Sequence, residues 1–124
     1  MPRDNLYLVE IVEAIDRISR WLSGIDADGW DDDDMLRAAV LQQLTTIGEA
    51  SRCVNNELQE QYPEIPWRRI ADFRNVAVHE YFSVDWSLVW RLVQDRLPML
   101  RHQITKVIKV EFPDIGERFN EGKQ

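Results

Sequence analysis

The sequence predicts an all-α protein, an antiparallel bundle of three long helices and one or two short ones. Apolar residues recur at alternating steps of three and four, which places them on one face of an α-helix. Strand-like alternation does not persist, and only five glycines and five prolines interrupt the chain. With 124 residues, 44% of them hydrophobic, the chain has the length and composition of one domain with its own core.

The first long helix is expected from Asp4 to Ser23, with Asp4 as its N-cap and Gly24 as its end. The second is expected to start at the four aspartates 31–34, because acidic side chains stabilise the positive end of a helix dipole. We interpret these aspartates as a solvated helix start rather than as metal ligands, and we place the end of the helix at Pro63. The two apolar stripes consist of Leu8, Ile11, Ile15, Ile18 and Leu22, and of Leu36, Val40, Leu44, Ile47, Val54 and Leu58, with Ser51 filling one step.

A short third helix is expected from Trp67 to about Val78, and the fourth helix is expected to be capped by Ser83 or Asp85. Pro98 falls inside the fourth helix, where its ring and its missing N–H predict a kink near Gln94. The inward-facing residues are Ile70, Phe73 and Ala77 in the third helix and Trp86, Trp90, Val93, Leu97, Leu100, Ile104 and Val107 in the fourth.

We divide the chain into a helical domain, residues 1–112, and a flexible C-terminal tail, residues 113–124. The tail contains Gly, Asn and charged residues and is expected to fray. Four tryptophans, Trp21, Trp30, Trp86 and Trp90, are more large aromatic side chains than one small core needs. They fit either that core or the interface of a homodimer.

The charge balance limits the partners of this protein. Lys and Arg total 15 against 22 Asp and Glu, which gives a formal net charge of −7. Broad binding to duplex DNA needs a basic surface, and anionic membranes also repel an acidic protein. No apolar run is long enough to span a bilayer, and the N-terminus lacks a secretory signal, so a cytoplasmic protein is expected. Any nucleic-acid site must be local and built from arginines.

Candidate catalytic residues are few. The single cysteine, Cys53, excludes an intrachain disulfide, and we interpret it as a small buried hydrophobe. His102 lies off the apolar stripe of its helix and is interpreted as a surface residue. His79 is different, because Arg74, Glu80 and Tyr81 lie within eight residues and two further arginines, 68 and 69, come just before them.

This cluster has the chemistry for cleaving a phosphodiester in RNA. A neutral His79 imidazole can take the proton from a ribose 2′-hydroxyl. The Arg74 guanidinium can hold the phosphate and stabilise the charge that develops during the reaction. The reaction needs no metal, and the sequence contains no set of metal ligands at a typical spacing, so no metal or other cofactor is expected.

The spacing of Arg74 and His79 leaves their arrangement open. Five residues along a straight helix separate two side chains by about 140° around the axis. The two can share one site if the helix ends or distorts near Val78, or if the Arg and His of two subunits line one cleft. A purely structural alternative is an Arg–Glu pair at a helix terminus with the histidine facing the helix dipole.

The segment resembles the R-x4-6-H signature of HEPN domains, and more narrowly the R-x4-H-x-Y motif of the HepT-like family. The resemblance covers nearly the whole chain. Its further matching strings are Ile-Gly-Glu-Ala at 47–50, Tyr-Pro-Glu-Ile-Pro-Trp at 62–67, His-Glu-Tyr-Phe at 79–82, Val-Asp at 84–85 and Val-Trp at 89–90.

The resemblance implies a helical homodimer with the Arg and His of both subunits in a cleft at the interface. HepT-like proteins resemble metal-independent RNA endonucleases that act as toxins, and their antitoxin partner is a minimal nucleotidyltransferase that silences them by AMP transfer to a tyrosine. On this basis Arg74 would bind phosphate, His79 would be the acid and base, and Tyr81 would be the AMPylation site. The supporting residues would be Asn75, Arg69 and Glu49; Glu49 would either pair with Arg74 or pack the bundle.

Two other functions remain open on the sequence. The chain would be a non-catalytic nucleotide-binding or scaffolding partner of a minimal nucleotidyltransferase if Arg74 and His79 grip a triphosphate. It would be a helical dimerisation module if its tryptophans serve only an interface.

Overall fold

The fold is known from a computed structural model that describes residues 3–75 and 83–119. All regular structure in these two ranges is helical, as the sequence predicts. The long helices are α1 (Asp4–Leu22), α3 (Asp34–Cys53), α6 (Trp86–Asp95) and α7 (Leu97–Glu111), and the short ones are α2 (Ala27–Asp32), α4 (Asn56–Gln61), α5 (Trp67–Ala71) and α8 (Pro113–Gly116), followed by a 3-10 turn (Glu117–Phe119). None of these helices is long and apolar enough to cross a membrane.

Helix α1 packs against both α3 and α7 and carries the centre of the core. Its predicted stripe is buried, with Val12 and Ala14 in addition. Near its end, Arg17 Nη1 donates a hydrogen bond to Gln43 Oε1 at 2.8 Å. Near its start, Asp4 Oδ1 accepts from the backbone N–H of Asn55 at 3.0 Å. The end of α1 thus lies beside the middle of α3, and the start of α1 lies beside the end of α3, so the two helices are antiparallel.

The predicted N-cap of the first helix is wrong. Arg3 occupies that position without a side-chain cap, and Asp4 is already helical. The Asp4 carboxylate instead binds the backbone just after α3, which ties the start of the chain to a break in the second long helix. Gly24 ends the helix as expected, in the left-handed conformation with a φ of 80°.

The aspartates at 31–34 belong to two helices rather than one. Asp33 is the N-cap of α3, where its carboxylate accepts from the backbone N–H of Leu36 at 3.0 Å. Asp26 caps α2 in the same way through the N–H of Gly29. Across the part of the chain that the structure describes, no group of three or more His, Cys, Asp or Glu residues could hold a metal ion.

The second predicted helix is broken after Cys53. Val54 leaves the helical conformation, and the Asn55 side chain caps the new helix α4 through the N–H of Glu57. Val54 nevertheless remains buried, with 2% of its surface exposed, and Leu58 beyond the break is buried too. The apolar pattern continues across the break, which is why the sequence pattern alone reads as one helix.

The fourth predicted helix is interrupted at Arg96, two residues beyond the kink expected near Gln94. Pro98 lies in the first turn of α7, where its missing N–H leaves no helical bond unmade. Of the two proposed caps, Asp85 is the one that caps α6, accepting from the N–H of Leu88 at 3.1 Å.

The start of the predicted tail is packed rather than frayed. Helix α8 lies against α7, the turn after it contacts α8, and Phe119 is buried, with 8% exposed. The approach is close at Gly116, where a side-chain Cβ would lie 2.7 Å from the Cα of Lys109. The expectation of a flexible segment is therefore wrong for residues 113–119, and residues 120–124 lie outside the described part of the chain.

Three of the four tryptophans form one aromatic cluster. Trp30 is almost completely buried, and its ring centroid lies 6.2 Å from that of Trp86 and 5.4 Å from that of Trp90. The Trp30 indole N–H donates to the backbone oxygen of Trp86 at 2.9 Å. Trp30 is thus part of the core, Trp86 and Trp90 pack against it while partly buried, and Trp21 is 38% exposed.

Candidate functional site

Arg74 lies in the segment that follows α5, and α5 is well anchored. Trp67 and Ile70 bury the inner face of α5, and the Trp67 indole N–H donates to the backbone oxygen of Tyr62 at 3.0 Å. The chain turns at Asp72 and is helical again through residues 73–75. This anchoring fixes the backbone at Arg74 relative to the core.

The close approach of α3 and α5 depends on Gly48. A Cβ at this position would lie 3.0 Å from the backbone N of Arg74 and 3.0 Å from the carbonyl oxygens of Ile70 and Ala71. Because glycine lacks that atom, the backbone of α3 lies directly against the segment that carries Arg74. The next residue of α3 is Glu49, whose side chain is thereby brought to the guanidinium.

Glu49 and Arg74 form an ion pair. Arg74 Nε lies 2.5 Å from Glu49 Oε2, and the two side chains are 35% and 42% exposed. Among the described residues the buried Nε–H of Arg74 finds no well-aligned acceptor, so the attraction between Arg74 and Glu49 is mainly one of charge. The other Glu49 oxygen accepts from Arg52 Nη2 at 3.1 Å. The pairing of Glu49 with Arg74, one of its two expected roles, is thus present.

The two arginines lower the pKa of the Glu49 carboxyl below its usual value. The hydrogen bond from Arg52 is the largest cause, and the positive charge of Arg74 adds to it, against the opposing effect of desolvation. Glu49 is therefore ionised at neutral pH, and its carboxylate is the counter-ion of the Arg74 guanidinium.

The other supporting residues are not in this pair. Arg69 is exposed and faces a groove between α5 and the α6–α7 break. Asn75 follows Arg74, and its backbone N–H donates to the carbonyl oxygen of Asp72 at 2.9 Å while its side chain is exposed. The structure therefore separates Arg69 from the Arg74–Glu49 pair, although the sequence places all of them in one cluster.

His79 and Tyr81, the predicted acid–base residue and modification site, lie outside the described residues. The same holds for the helix end that the spacing argument places near Val78. The roles of these residues remain predictions from the sequence.

His102 and Cys53, which are interpreted from the sequence as non-catalytic residues, differ in how well their predicted burial is confirmed. His102 is exposed on α7, as expected. Cys53 is also exposed, so its interpretation as a buried hydrophobe is wrong. Cys53 is the last residue of α3, and the next residue, Val54, is the buried member of the apolar stripe.

Two features of the site were missed in the sequence. One is the role of Gly48, which only the packing of α3 on α5 reveals. The other is a pair of exposed arginines, Arg91 and Arg96, on the same groove as Arg69. The sequence feature that could have indicated these two arginines is their position outside the apolar stripe of the fourth predicted helix. They also lie close to the point where Pro98 predicts that this helix changes direction.

The described residues form an all-α protein in which the segment after a short helix carries an ion-paired arginine, five residues before a histidine in the sequence. The family model described as Ribonuclease HepT-like matches residues 11–107. The chain therefore belongs to the HepT-like family of HEPN-domain proteins.

Two curated relatives are similar over most of their length. A Methanocaldococcus jannaschii protein named "Putative RNase MJ1380" is 33% identical over 98 residues, which is 79% of this chain and 90% of the relative. A Thermococcus cleftensis protein named "Probable ribonuclease HepT" is 36% identical over 103 residues, 83% of this chain and 94% of the relative. No solved structure matches the chain significantly.

Proposed function

We propose that this protein is a metal-independent RNA endonuclease whose active site contains Arg74 and His79. The observation that carries the proposal is the position of Arg74. A glycine contact fixes its backbone against α3, and Glu49 holds its guanidinium, while about one third of the Arg74 side chain is exposed. It stands five residues before His79, in a family whose model is described as a ribonuclease.

In the proposed reaction, neutral His79 accepts the proton of a ribose 2′-hydroxyl. The 2′-oxygen attacks phosphorus, and the P–O5′ bond breaks. The products are a 2′,3′-cyclic phosphate and a 5′-hydroxyl, which takes up a proton as the bond breaks. Arg74 stabilises the negative charge on the phosphoryl oxygens throughout, because a guanidinium stays protonated and donates in a fork that fits them.

Glu49 has a positioning role in this account. Its carboxylate lies at Nε of Arg74 and orients the guanidinium before RNA arrives. It also offsets the charge of Arg74, so an incoming phosphate competes with a carboxylate that Arg52 already holds. Arg74 therefore stabilises bound RNA less than it stabilises the transition state, because the negative charge on the phosphoryl oxygens is larger in the transition state.

The test is cleavage of single-stranded RNA by purified Arg74→Ala and Arg74→Lys. We expect Arg74→Ala to lose at least about 100-fold in rate, as is usual when one donor to a transition-state oxyanion is removed. Lysine restores the charge without the planar fork, so Arg74→Lys should recover only part of the rate. Arg20→Ala, a change at an exposed arginine on α1, is the control. Cleavage by Arg74→Ala at the wild-type rate would contradict the proposal, and ATP binding without any cleavage would favour the non-catalytic alternative.

We further propose that two subunits of a homodimer supply Arg74 and His79 to each cleft. Mixing subunits tests this, because inactive Arg74→Ala and His79→Ala proteins would together rebuild one complete cleft in each mixed dimer. Random exchange should then restore roughly a quarter of the wild-type sites. No recovery, with exchange confirmed by mass, would place both residues in one subunit.

The proposed biological role is that of a toxin whose antitoxin is a minimal nucleotidyltransferase. AMP transfer to Tyr81 would place a bulky anion two residues from His79 and repel RNA. Coexpression with the cognate transferase should add whole adenylyl units to the intact mass of wild type and of Tyr7→Phe. Tyr81→Phe should stay unmodified, and an adduct that survives this change would refute the site.

A further inference from the structure

A groove lies between α5 and the break that separates α6 from α7. Its volume is about 560 Å³, which is within the usual range of small-ligand sites. Its apolar lining includes Phe73, Leu88, Leu92 and Met99. Two of these side chains are unusually accessible for their type, since Leu88 is 54% and Met99 is 60% exposed.

Three arginines, Arg69, Arg91 and Arg96, border the same groove. All three are exposed, and none of them makes an ion pair with another residue of the described chain. By contrast, the five arginines Arg17, Arg52, Arg74, Arg101 and Arg118 each pair with a carboxylate. Two carboxylates, Glu64 and Asp95, also border the groove, so the side chains that line it have a net charge of +1.

A positive groove is unusual for a chain with a net charge of −7. An apolar floor flanked by guanidinium groups that pair with no described carboxylate fits a ligand that is apolar in part and anionic in part. Single-stranded RNA has this character, because its bases offer flat apolar faces and its backbone offers phosphates. Duplex nucleic acid does not fit, since its bases are stacked inside.

The groove also borders the segment that carries Arg74. Phe73 lines it and is the residue directly before Arg74, and Arg69 lies in the same short segment. An RNA chain bound in the groove would therefore lie against the residue next to Arg74 in the sequence, although Arg74 itself does not line the groove.

We propose that this groove binds the single-stranded RNA substrate next to the cleavage site, which rests on the proposed ribonuclease function. Bases contact the apolar floor around Leu88 and Met99, and phosphates bind the guanidinium groups of Arg69, Arg91 and Arg96. The groove is a binding site, and the residues that line it take no part in bond breaking.

The test is the affinity of a short fluorescein-labelled 2′-O-methyl RNA, which binds but cannot be cleaved, measured by anisotropy at several salt concentrations. Arg91→Gln/Arg96→Gln is compared with Arg3→Gln/Arg20→Gln, which removes the same charge from two exposed arginines on α1 and its cap. Losing two phosphate contacts should weaken binding about tenfold and reduce the salt slope by about 1.4. The control should change affinity less than about twofold. Equal affinities for the two double variants would overturn the proposal.

A second variant distinguishes RNA from a second copy of this chain as the occupant. Leu88→Asp places a negative charge on the apolar floor at a side chain that is 54% exposed, so the fold should persist. The proposal predicts weaker RNA binding with the sedimentation mass unchanged. A lower mass with RNA affinity unchanged would instead assign the groove to a subunit interface.

Cleavage of ordinary RNA separates this inference from the function on which it rests. Arg91→Gln/Arg96→Gln should raise KM about tenfold and leave kcat near that of wild type, as expected when uniform binding is lost. If wild type binds RNA through the groove but does not cleave it, the proposed function fails and the groove stands. If wild type cleaves RNA and the double variant has an unchanged KM, the groove fails and the function stands.

Discussion

Arg74 Nε lies 2.5 Å from Glu49 Oε2, and this contact joins the segment after α5 to the C-terminal part of α3. Glu49 also binds Arg52 through its other oxygen. One carboxylate thus fixes the guanidinium that we propose as the phosphate-binding group. The pair makes Glu49 a positioning residue, and its effect should appear in the chemical step more than in RNA binding.

Glu49→Gln should lower kcat for RNA cleavage about tenfold, because the amide holds the Arg74 guanidinium less firmly and transition-state stabilisation depends on its orientation. RNA affinity should stay the same or rise, since a negative charge leaves the site. Glu60→Gln, at an exposed glutamate of α4, removes the same charge away from Arg74 and serves as the control. Weaker RNA binding with kcat unchanged would contradict the positioning role.

The same variant predicts a pH dependence of stability. Because the folded state lowers the pKa of Glu49, ionised Glu49 stabilises the fold above its usual pKa, and this contribution disappears as the pH falls through the lowered value. Wild type should therefore be more stable than Glu49→Gln at neutral pH and equally stable in strong acid. Urea unfolding of both proteins at several pH values checks this, and a constant difference down to strong acid would refute it.

Gly48→Ala should reduce cleavage by moving Arg74. The new Cβ would lie 3.0 Å from three backbone atoms of the facing segment, which must shift by a few tenths of an ångström. Crowding of a packed site costs about 1–3 kcal/mol, and the better helix propensity of alanine offsets about 1 kcal/mol. The free energy of unfolding should fall by about 1 kcal/mol. Gln42→Ala, at an exposed position of α3, should leave activity unchanged, and full activity of Gly48→Ala would show that the contact does not position Arg74.

Tyr62→Phe should alter stability in alkaline solution. The Tyr62 hydroxyl donates to Glu111 Oε2 at 2.7 Å, and this hydrogen bond is the largest of the effects that raise the pKa of Tyr62 to about 12. A raised pKa means that the neutral phenol stabilises the fold fully below the usual value of 10.0, and that this is lost as the pH rises towards 12. Melting temperatures of wild type and Tyr62→Phe should therefore converge over that window. A gap that persists or widens would contradict the assignment.

Trp30→Phe should be strongly destabilising. It removes the indole N–H that donates to the backbone oxygen of Trp86 and leaves a cavity at a side chain that is 1% exposed. The expected loss is about 2–4 kcal/mol in the free energy of unfolding. Trp21→Phe, at a side chain that is 38% exposed, should cost less than about 1 kcal/mol. Similar losses for the two variants in urea unfolding would refute the central place of Trp30 in the core.

The helical class was predictable from sequence because the spacing of apolar residues depends only on the period of the helix. The break after Cys53 was not, because Val54 continues the apolar pattern while Asn55 binds Asp4 and caps the next helix. Packing of the segment 113–119 depends on the contact of Gly116 with Lys109, which no local pattern encodes.

The candidate site was predictable in part. Arg74 and Glu49 were found through the family motif and the other matching sequence segments, which specify the amino acid at each position. The contact between them depends on the missing side chain of Gly48, and the separation of Arg69 depends on the direction of α5 relative to α6 and α7. These are relations between helices, and one sequence alone does not specify them.

The most direct test of the central claim is cleavage of single-stranded RNA in the presence of EDTA, with analysis of the new ends. Wild type is compared with His79→Ala and with His102→Ala, which changes the chain's other histidine at an exposed position of α7. The account predicts 2′,3′-cyclic phosphate ends from wild type and His102→Ala and no cleavage by His79→Ala. Cleavage by His79→Ala at the wild-type rate, or loss of wild-type cleavage in EDTA, would contradict it.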